Sequence, residues 1–451
     1  MEKVPEKCEK RAAKNVPATF FNYLWKIVHG TFFDKSNEDL EMIKQITLFF
    51  FIICLFFLGL SSSSLSAQDY RQNTIVCVEK TPRNVAILQT MCLDILMDWQ
   101  GKIYIVAAPD DLRKLRDAEI LYDDEESDNP PSREGQKPIS IQTSINGAFH
   151  SYREVETELF ALEQSYPNLA QVHNIGNSLE MRNIYAIKIS DNVQAEEESE
   201  AEVLITGCHH AREWISVEVP LYVAKHLVEN YATDSHIRSL VDQCEVWIVP
   251  LLNPDGLEYT IYFYRYWRKN LRDNANGTYG VDTNRNYDYM WGYDDDGSSP
   301  FTFSYVYRGP APFSERESQA IRDLFAQRDF QAFISYHNYS QVIIYPWGYT
   351  HEPSPIDSLL EEMAGEMAAR IEAVSGRVYE YGQAGNQLYV TNGDATDWAL
   401  GVYGIPSFTI ELPPVDQVHG GFYNPEEDIQ SVVRENIPAM LYVIEWAIAN
   451  K

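Results

Sequence analysis

The chain has 451 residues, and its 36 Lys and Arg face 66 Asp and Glu for a net charge of −30. That balance repels polyanions, and no basic cluster interrupts it, so nucleic acid and anionic membrane surfaces are disfavoured as partners.

The first distinctive segment is residues 46–60, which are almost wholly apolar. The run is short of the ~20 residues that span a bilayer. Ser61 to Ser64 and small residues up to Ala67 follow it, the layout of a secretory signal peptide. Residues 1–41 precede it, which is too much for such a leader. Starting at Met42 gives Met42-Ile43-Lys44-Gln45 as a short basic leader. The expectation is therefore a start at Met42, a signal peptide over 42–67 and a non-native upstream extension over 1–41. A signal anchor with a short cytoplasmic tail is the alternative. Export implies a secreted, periplasmic or extracellular protein with no stable membrane association beyond this segment.

Residues 68–122 read as a small α/β unit, with a strand at 74–78, a helix over 84–99, a strand at 102–107 and a helix starting over 109–117. A polar linker over 123–145 follows, opening with Asp123-Asp124-Glu125-Glu126. In residues 146–451, apolar runs at 183–189, 203–207, 245–250, 331–337, 342–345 and 407–411 alternate with helical stretches at 152–165, 314–328, 354–374 and 426–449. This alternation predicts an α/β fold built on a mixed, mostly parallel twisted sheet with helices on both faces. Pro220 predicts a kink or an irregular start in the helix after Glu213. Export permits disulfides. A Cys77–Cys92 pair is conceivable, whereas Cys208 and Cys244 read as buried free thiols.

The chemistry concentrates in Cys208-His209-His210-Ala211-Arg212-Glu213-Trp214. The apolar run before it reads as a buried strand, Gly207 lets the chain turn, and a helix begins near Glu213. A His and a Glu on one helical turn share a face, so His210 and Glu213 suit two ligands of one zinc ion. His209 should point the other way. The strand-like run Phe333-Ile334-Ser335-Tyr336-His337 ends in a histidine, and Pro406-Ser407-Phe408-Thr409-Ile410-Glu411 ends in a carboxylate. Such positions lie where open α/β sheets gather ligands. Two histidines and a glutamate with a fourth position open to water form a catalytic zinc arrangement, leaving Glu411 as the base.

With these motifs the chain, from about residue 146 to 451, resembles the zinc metallocarboxypeptidases of the carboxypeptidase A/B type. Further motifs in family order are Trp267-Arg268-Lys269-Asn270, Asp282-Thr283-Asn284-Arg285-Asn286 and Leu388-Tyr389-Val390. The resemblance implies that Arg268 polarises the scissile carbonyl and that Asn284 and Arg285 hold the substrate's terminal carboxylate. Tyr389 would close over the bound residue, and Arg212 and Tyr339 would line the substrate site. A guanidinium binds a carboxylate bidentately, which suits Arg285 to its role. In the side-chain pocket, Thr396 stands where the A type has isoleucine and the B type aspartate, and Asp394 replaces a glycine. Thr396 leaves space for an apolar side chain while Asp394 can meet a basic head group, a pattern similar to secreted bacterial members of dual specificity.

Smaller motifs agree with the resemblance. In Ser178-Leu179-Glu180-Met181-Arg182 the methionine stands at a family glycine, a costly choice if the backbone there is left-handed. Ser314 reads as a helix N-cap. The implied activity is zinc-dependent release of single residues from peptide or protein C-termini, with one zinc ion and a monomeric enzyme. The small unit occupies the place of an activation segment removed by a protease, or it is an accessory module. A zinc amidase acting on cell-wall peptides or acylated amino acids, and a non-catalytic zinc-binding protein, are the alternatives. Asp294-Asp295-Asp296-Gly297 offers hard oxygen ligands for calcium, with a solvated loop the favoured reading.

Overall fold

A computed structural model describes residues 74–124, apart from 80, 89–93, 100–101 and 108, together with 146–416 and 419–451. The expected signal segment, the start at Met42, Cys92 and most of the linker lie outside the described residues. Among the described residues no helix is long and apolar enough to cross a membrane.

The first unit is an antiparallel sheet in the order β2-β3-β1-β4, from β1 (Thr74–Glu79), β2 (Asp94–Trp99), β3 (Lys102–Ala107) and β4 (Asp123–Asp124). Helices α1 (Pro82–Leu88) and α2 (Pro109–Asp117) complete it. The helix expected over 84–99 is thus a short helix followed by a strand. Trp99 pairs with Lys102, so only two residues, one of them Gly101, separate β2 from β3. That hairpin signal outweighs the helical spacing. The first two residues of the expected linker pair with β1 as a strand. Val76, Val78, Leu88, Ile105 and Leu115 form this unit's own core.

The second unit is an eight-stranded sheet in the order β11-β10-β12-β9-β7-β8-β6-β5. Its strands are β5 (Ala170–Asn177), β6 (Asn183–Ile189), β7 (Ala201–Gly207), β8 (Cys244–Val249), β9 (Phe330–Asn338), β10 (Val342–Tyr345), β11 (Glu380–Gln383) and β12 (Ser407–Leu412). The central block β12-β9-β7-β8 is parallel, β10 pairs in parallel with β11, and the remaining pairs are antiparallel.

Strand periodicity divides the core into two layers. Val203, Ile205, Val246, Ile248, Ala332 and Ile334 face one cluster, covered by α3 (Tyr152–Ser165), α4 (Ile215–Asn230), α5 (Ser235–Val241), α8 (Asp357–Ser375) and α11 (Ile429–Ala449). Leu204, Trp247, Val249 and Phe333 face the other, beneath α7 (Arg316–Phe325) and α10 (Ala395–Trp398). Two further helices are α6 (Pro254–Tyr262), which follows β8, and α9 (Ala384–Gln387), which follows β11 and packs against the edge strands β11 and β10.

Local chemistry sets several element ends. Glu154 accepts from the Ser151 backbone N–H at 2.9 Å at the start of α3. The cap of α7 is Glu315, not Ser314. The Ser314 hydroxyl instead donates to the Glu315 carboxylate at 2.7 Å, so a side chain competes for the group that would have capped. Met181 has φ +64°, which meets the condition under which methionine is costly. Cys208 and Cys244 are buried free thiols.

Candidate metal centre and substrate groove

β7 ends at Gly207, where a Cβ would overlap the Ser216 carbonyl, so glycine is needed for this close approach. Cys208 then takes φ +56° and turns the chain above the sheet. The Glu213 N–H donates to the His210 carbonyl at 3.2 Å, and Ser216 and Val217 make similar short-range bonds. α4 itself begins only at Ile215. Glu213 therefore lies in a turn ahead of the helix rather than on its first turn. The helix does start irregularly, and it continues through Pro220.

The two side chains nevertheless converge, with His210 Nδ1 2.9 Å from Glu213 Oε1. His337, near the end of β9, places Nδ1 2.9 Å from Glu213 Oε2 and 3.0 Å from His210 Nδ1. The three residues are buried, with ligand atoms all within 4.8 Å of one another. Two imidazole nitrogens facing each other across a carboxylate form a donor set suited to zinc. Burial lowers the His337 imidazole's proton affinity despite the opposing pull of Glu213. Burial also opposes ionisation of Glu213, but His210 and His337 outweigh it and hold the carboxyl well below its usual range. His209 is turned away, bonded to Tyr287 Oη at 3.0 Å and Ser335 Oγ at 3.2 Å.

Glu411 stands on β12 directly opposite His337 in the parallel register. Burial, then the charge of Glu213, push its carboxyl well above the ordinary value against the pull of Arg268, Arg285 and Arg212. Arg268 is linked to the donor set through Asp282, a residue that sequence reasoning passed over. Asp282 Oδ1 lies 3.1 Å from His210 Nε2, and its Oδ2 accepts from Arg268 Nε at 3.0 Å and pairs with Nη2 at 2.9 Å. Burial would raise the Asp282 carboxyl, yet Arg268 and His210 hold it well below the carboxylate range. A carboxylate on the far nitrogen of a ligand histidine fixes its tautomer and ring orientation.

Asn284 and Arg285 follow Asp282 on one short 3-10 turn. Asn284 Oδ1 accepts from Ala395 N at 3.0 Å, and Arg285 donates to Gly297 O at 3.0 Å and Asn284 O at 2.7 Å. Arg212 is buried, with Nε and Nη1 lacking a hydrogen-bond partner, and its guanidinium lies 3.8 Å from the Phe422 ring centroid. Tyr339 also packs on Phe422, with ring centroids 4.8 Å apart and planes tilted by 65°, and burial pushes its phenol up to about 12. Tyr389 is 40% exposed yet near enough to Arg268 and Tyr339 to perturb both.

Asp394 is the N-cap of α10, accepting from the N–H groups of Thr396 and Asp397. It also accepts from the hydroxyls of Thr391 at 2.6 Å and Thr396 at 2.8 Å. Asp294 accepts from Asp296 N, Gly297 N and Asn392 Nδ2, and Asp295 pairs with Arg308. This acidic run is a hydrogen-bonded surface turn.

A zinc carboxypeptidase family profile matches residues 155–439. The chain belongs to the zinc carboxypeptidase family. Carboxypeptidase B of Astacus astacus is 34% identical over 287 residues, covering 62% of this chain and 91% of that protein. Carboxypeptidase A1 of Rattus norvegicus is 29% identical over 339 residues, or 74% and 78% of the two chains. The structure of thrombin-activatable fibrinolysis inhibitor superposes with a TM-score of 0.68 at 26% identity, covering 84% of this chain and 99% of that one. Carboxypeptidase A of Helicoverpa armigera gives 0.66 at 27%, covering 84% and 98%. A zinc carboxypeptidase of the A/B type accounts for the sheet and for the buried His2Glu group above it.

Sequence reasoning missed Asp282 and Phe422. The first stood inside a quoted motif, two residues before Asn284, and a carboxylate beside two functional side chains was the available signal. Phe422 carries no spacing signal, because it reaches Arg212 only through the fold.

Proposed function

We propose that this zinc carboxypeptidase is an exported exopeptidase that removes single C-terminal residues, both apolar and basic. The observation that carries the reading is the buried convergence of His210, Glu213 and His337 beside Glu411 and Arg268. His210, Glu213 and His337 would hold one zinc ion, which supplies Lewis acidity toward a water molecule and the scissile carbonyl.

Glu411 takes the proton from the attacking water and passes it to the leaving amine. Its raised proton affinity supports both halves of that transfer. Arg268, fixed by Asp282, donates to the carbonyl oxygen as negative charge develops there; a single such donor is worth on the order of 3 kcal/mol of barrier. Arg285 and Asn284 bind the terminal carboxylate, which restricts the reaction to chain ends. Arg212 offers its unpartnered N–H groups to a carbonyl farther along the substrate, beside Tyr339. Tyr389, 40% exposed beside Arg268 and Tyr339, closes over the bound residue and excludes water.

Asp394 supports acceptance of basic side chains because its charge is pinned by the helix cap, while Thr396 leaves room for apolar ones. Peptides differing only in a C-terminal Phe, Leu, Arg or Lys test this, and release confined to one class would sink dual specificity. Amidated versions of the same peptides should resist cleavage. If they are cleaved equally well, the carboxylate role of Arg285 is wrong and the amidase reading gains.

The small unit acts as an inhibitory activation segment removed by a protease. What supports this is that its Cys77 packs with Tyr264 and Tyr305, and that the Tyr305 ring centroid is 5.6 Å from the guanidinium of Arg212, a proposed groove residue. Cleavage in the 125–145 linker should raise peptide turnover; unchanged activity would make it an accessory module. Export rests on the apolar run at 46–60, and the enzyme acts as a monomer on peptide or protein C-termini.

A further inference from the structure

Glu315, the cap of α7, and Glu317 on its first turn are fully buried acids with no part in the proposed reaction. Glu315 Oε1 accepts from Arg272 Nη1 and from the Ser314 hydroxyl, each at 2.7 Å. Glu315 Oε2 and Glu317 Oε2 both accept from the side-chain amide of Asn270, at 2.7 and 3.1 Å. Bonds to ionised acceptors are roughly twice as strong as neutral ones, so one NH2 group is gripped from both sides. Glu317 Oε1 is buried without a hydrogen-bond partner, and burial, then the charge of Glu315, push that carboxyl up to about 7. A proton on Glu317 relieves the repulsion between the acids while leaving Oε2 to accept. The other end of the Asn270 amide joins two chain segments of the site. Its Oδ1 accepts from Val281 N at 2.8 Å, and the Asn270 N–H donates to Val281 O at 3.1 Å. Gly280, at φ +82°, runs so close to Asn270 that a Cβ would overlap its carbonyl.

We propose that Asn270, gripped by Glu315 and Glu317, is a positioning residue that sets Arg268 against Asp282 and so aims the Arg268 guanidinium at the scissile carbonyl, a role that rests on the part proposed for Arg268 in the reaction. Arg268 stands two residues before Asn270, and Asp282 directly follows Val281. The bonds between Asn270 and Val281 therefore close the chain just behind the Arg268–Asp282 pair. The grip refers that pair to the core rather than to the loop over 271–280, because α7 packs on the second layer through Ala320, Ile321 and Leu324. The Arg268 carbonyl also accepts from Ala211 N at 2.9 Å. That bond ties Arg268 to the turn carrying His210 but leaves the approach of Asp282 to the Asn270 pairing. Asn284 and Arg285 have anchors of their own at Ala395 N and Gly297 O, so the terminal carboxylate's site should survive a loosened Asn270. A shift of about 1 Å at a reacting group costs up to about 10²-fold in rate, so the grip acts on turnover rather than on binding.

The test takes the full chain carrying its zinc, before and after cleavage in the 125–145 linker, on peptides with a free carboxyl terminus. Asn270→Ala should lower kcat by about 10- to 100-fold while KM stays within about twofold, because losing an interaction made only in the transition state lowers kcat and kcat/KM alike. In an Arg268→Ala background the same change should cost no more than about twofold further, since residues acting as a unit are not additive. Glu317→Leu, which removes an acceptor, should lower kcat in the same way, and Glu317→Gln, which restores it, should recover most of the loss. That pair decides the matter if Asn270→Ala fails to fold. The proposal is overturned by a kcat within about twofold of the unaltered enzyme in Asn270→Ala, by a loss that appears in KM instead, or by full additivity with Arg268→Ala. Equal losses in Glu317→Leu and Glu317→Gln overturn it too. Arg268→Ala alone checks the underlying role: an unchanged kcat there removes Arg268 from the reaction, whereas a large loss there beside an undiminished Asn270→Ala overturns only the positioning.

Discussion

Replacing Asp282 with asparagine removes one negative charge from a position that touches both His210 and Arg268. The carboxylate makes four contacts, to His210 Nε2, the Asn284 N–H, and Arg268 Nε and Nη2, at 2.9 to 3.1 Å. An amide keeps one acceptor oxygen and turns an NH2 group toward either the guanidinium or the imidazole and backbone N–H. At least two charge-assisted bonds are lost, at about 1.5–3 kcal/mol each. Breaking a buried pair from one side costs about 3–5 kcal/mol, so both routes give a destabilisation of about 4 kcal/mol. Loss of the bond that orients His210 should also lower zinc affinity or kcat/KM by about 10- to 100-fold. Urea denaturation, retention of zinc against graded chelator, and peptide kinetics read the three effects. The loss should also vary with pH. Asp282 titrates below its unfolded value, so its stabilisation is complete above about pH 4 and declines as pH falls toward the folded value. The gap between the two proteins should therefore be widest near neutrality and close in acid. Zinc retention and kcat/KM both within about twofold of the unaltered enzyme, well inside the 10- to 100-fold loss, would refute the coupling of His210 to Arg268 through Asp282.

Glu411→Gln should leave zinc bound while lowering kcat by roughly 10²- to 10⁴-fold, measured by metal content and initial rates; retained turnover removes Glu411 from its role. Arg285→Lys keeps the charge but loses the fork, so KM for free-carboxylate peptides should rise by roughly tenfold or more, and an unchanged KM counts against it. Lys188→Met removes the 2.7 Å partner of Glu245, which is 2% exposed, and leaves it Arg328 at 3.6 Å; it should cost about 3 kcal/mol by denaturation, the low end for a buried pair broken from one side. Met181→Gly, at an exposed left-handed position, should stabilise by about 1 kcal/mol; no gain in Tm would mean that the site relaxes to suit methionine.

Much of the architecture was legible because strand and helix signals agreed with burial. The strands at 183–189 and 342–345 and the helix at 152–165 were found with their observed limits. β5 and β11 escaped notice because they pair at the sheet's edges, where Gln171, Asn174, Glu380 and Gln383 blur the apolar pattern. The expected helix over 84–99 failed because a strand such as Asp94–Trp99 is defined by its partner across a hairpin, not by its own period. In the site, residue types marked the candidate metal donors and the proposed base, since zinc and proton transfer demand particular atoms. Phe422 was illegible because it works by touching Arg212, a contact that exists only after folding; Asp282 carried a signal in its motif, but its link between His210 and Arg268 is likewise made only by the fold.

His337 and Glu411 face each other on adjacent parallel strands, in the register that also pairs Ser335 with Thr409. Their separation is thus set by the hydrogen-bond ladder itself, about 4.8 Å between backbones, and a one-residue slip would send one of them to the opposite face. Arg285 on its 3-10 turn, Asp394 at the start of α10 and Tyr389 in the segment before it lie outside that ladder. On the proposed roles, one metal donor and the base are tied together by the strand register while the substrate contacts are not, so substitutions at Asp394 or Thr396 can alter the choice of substrate without moving His337 relative to Glu411.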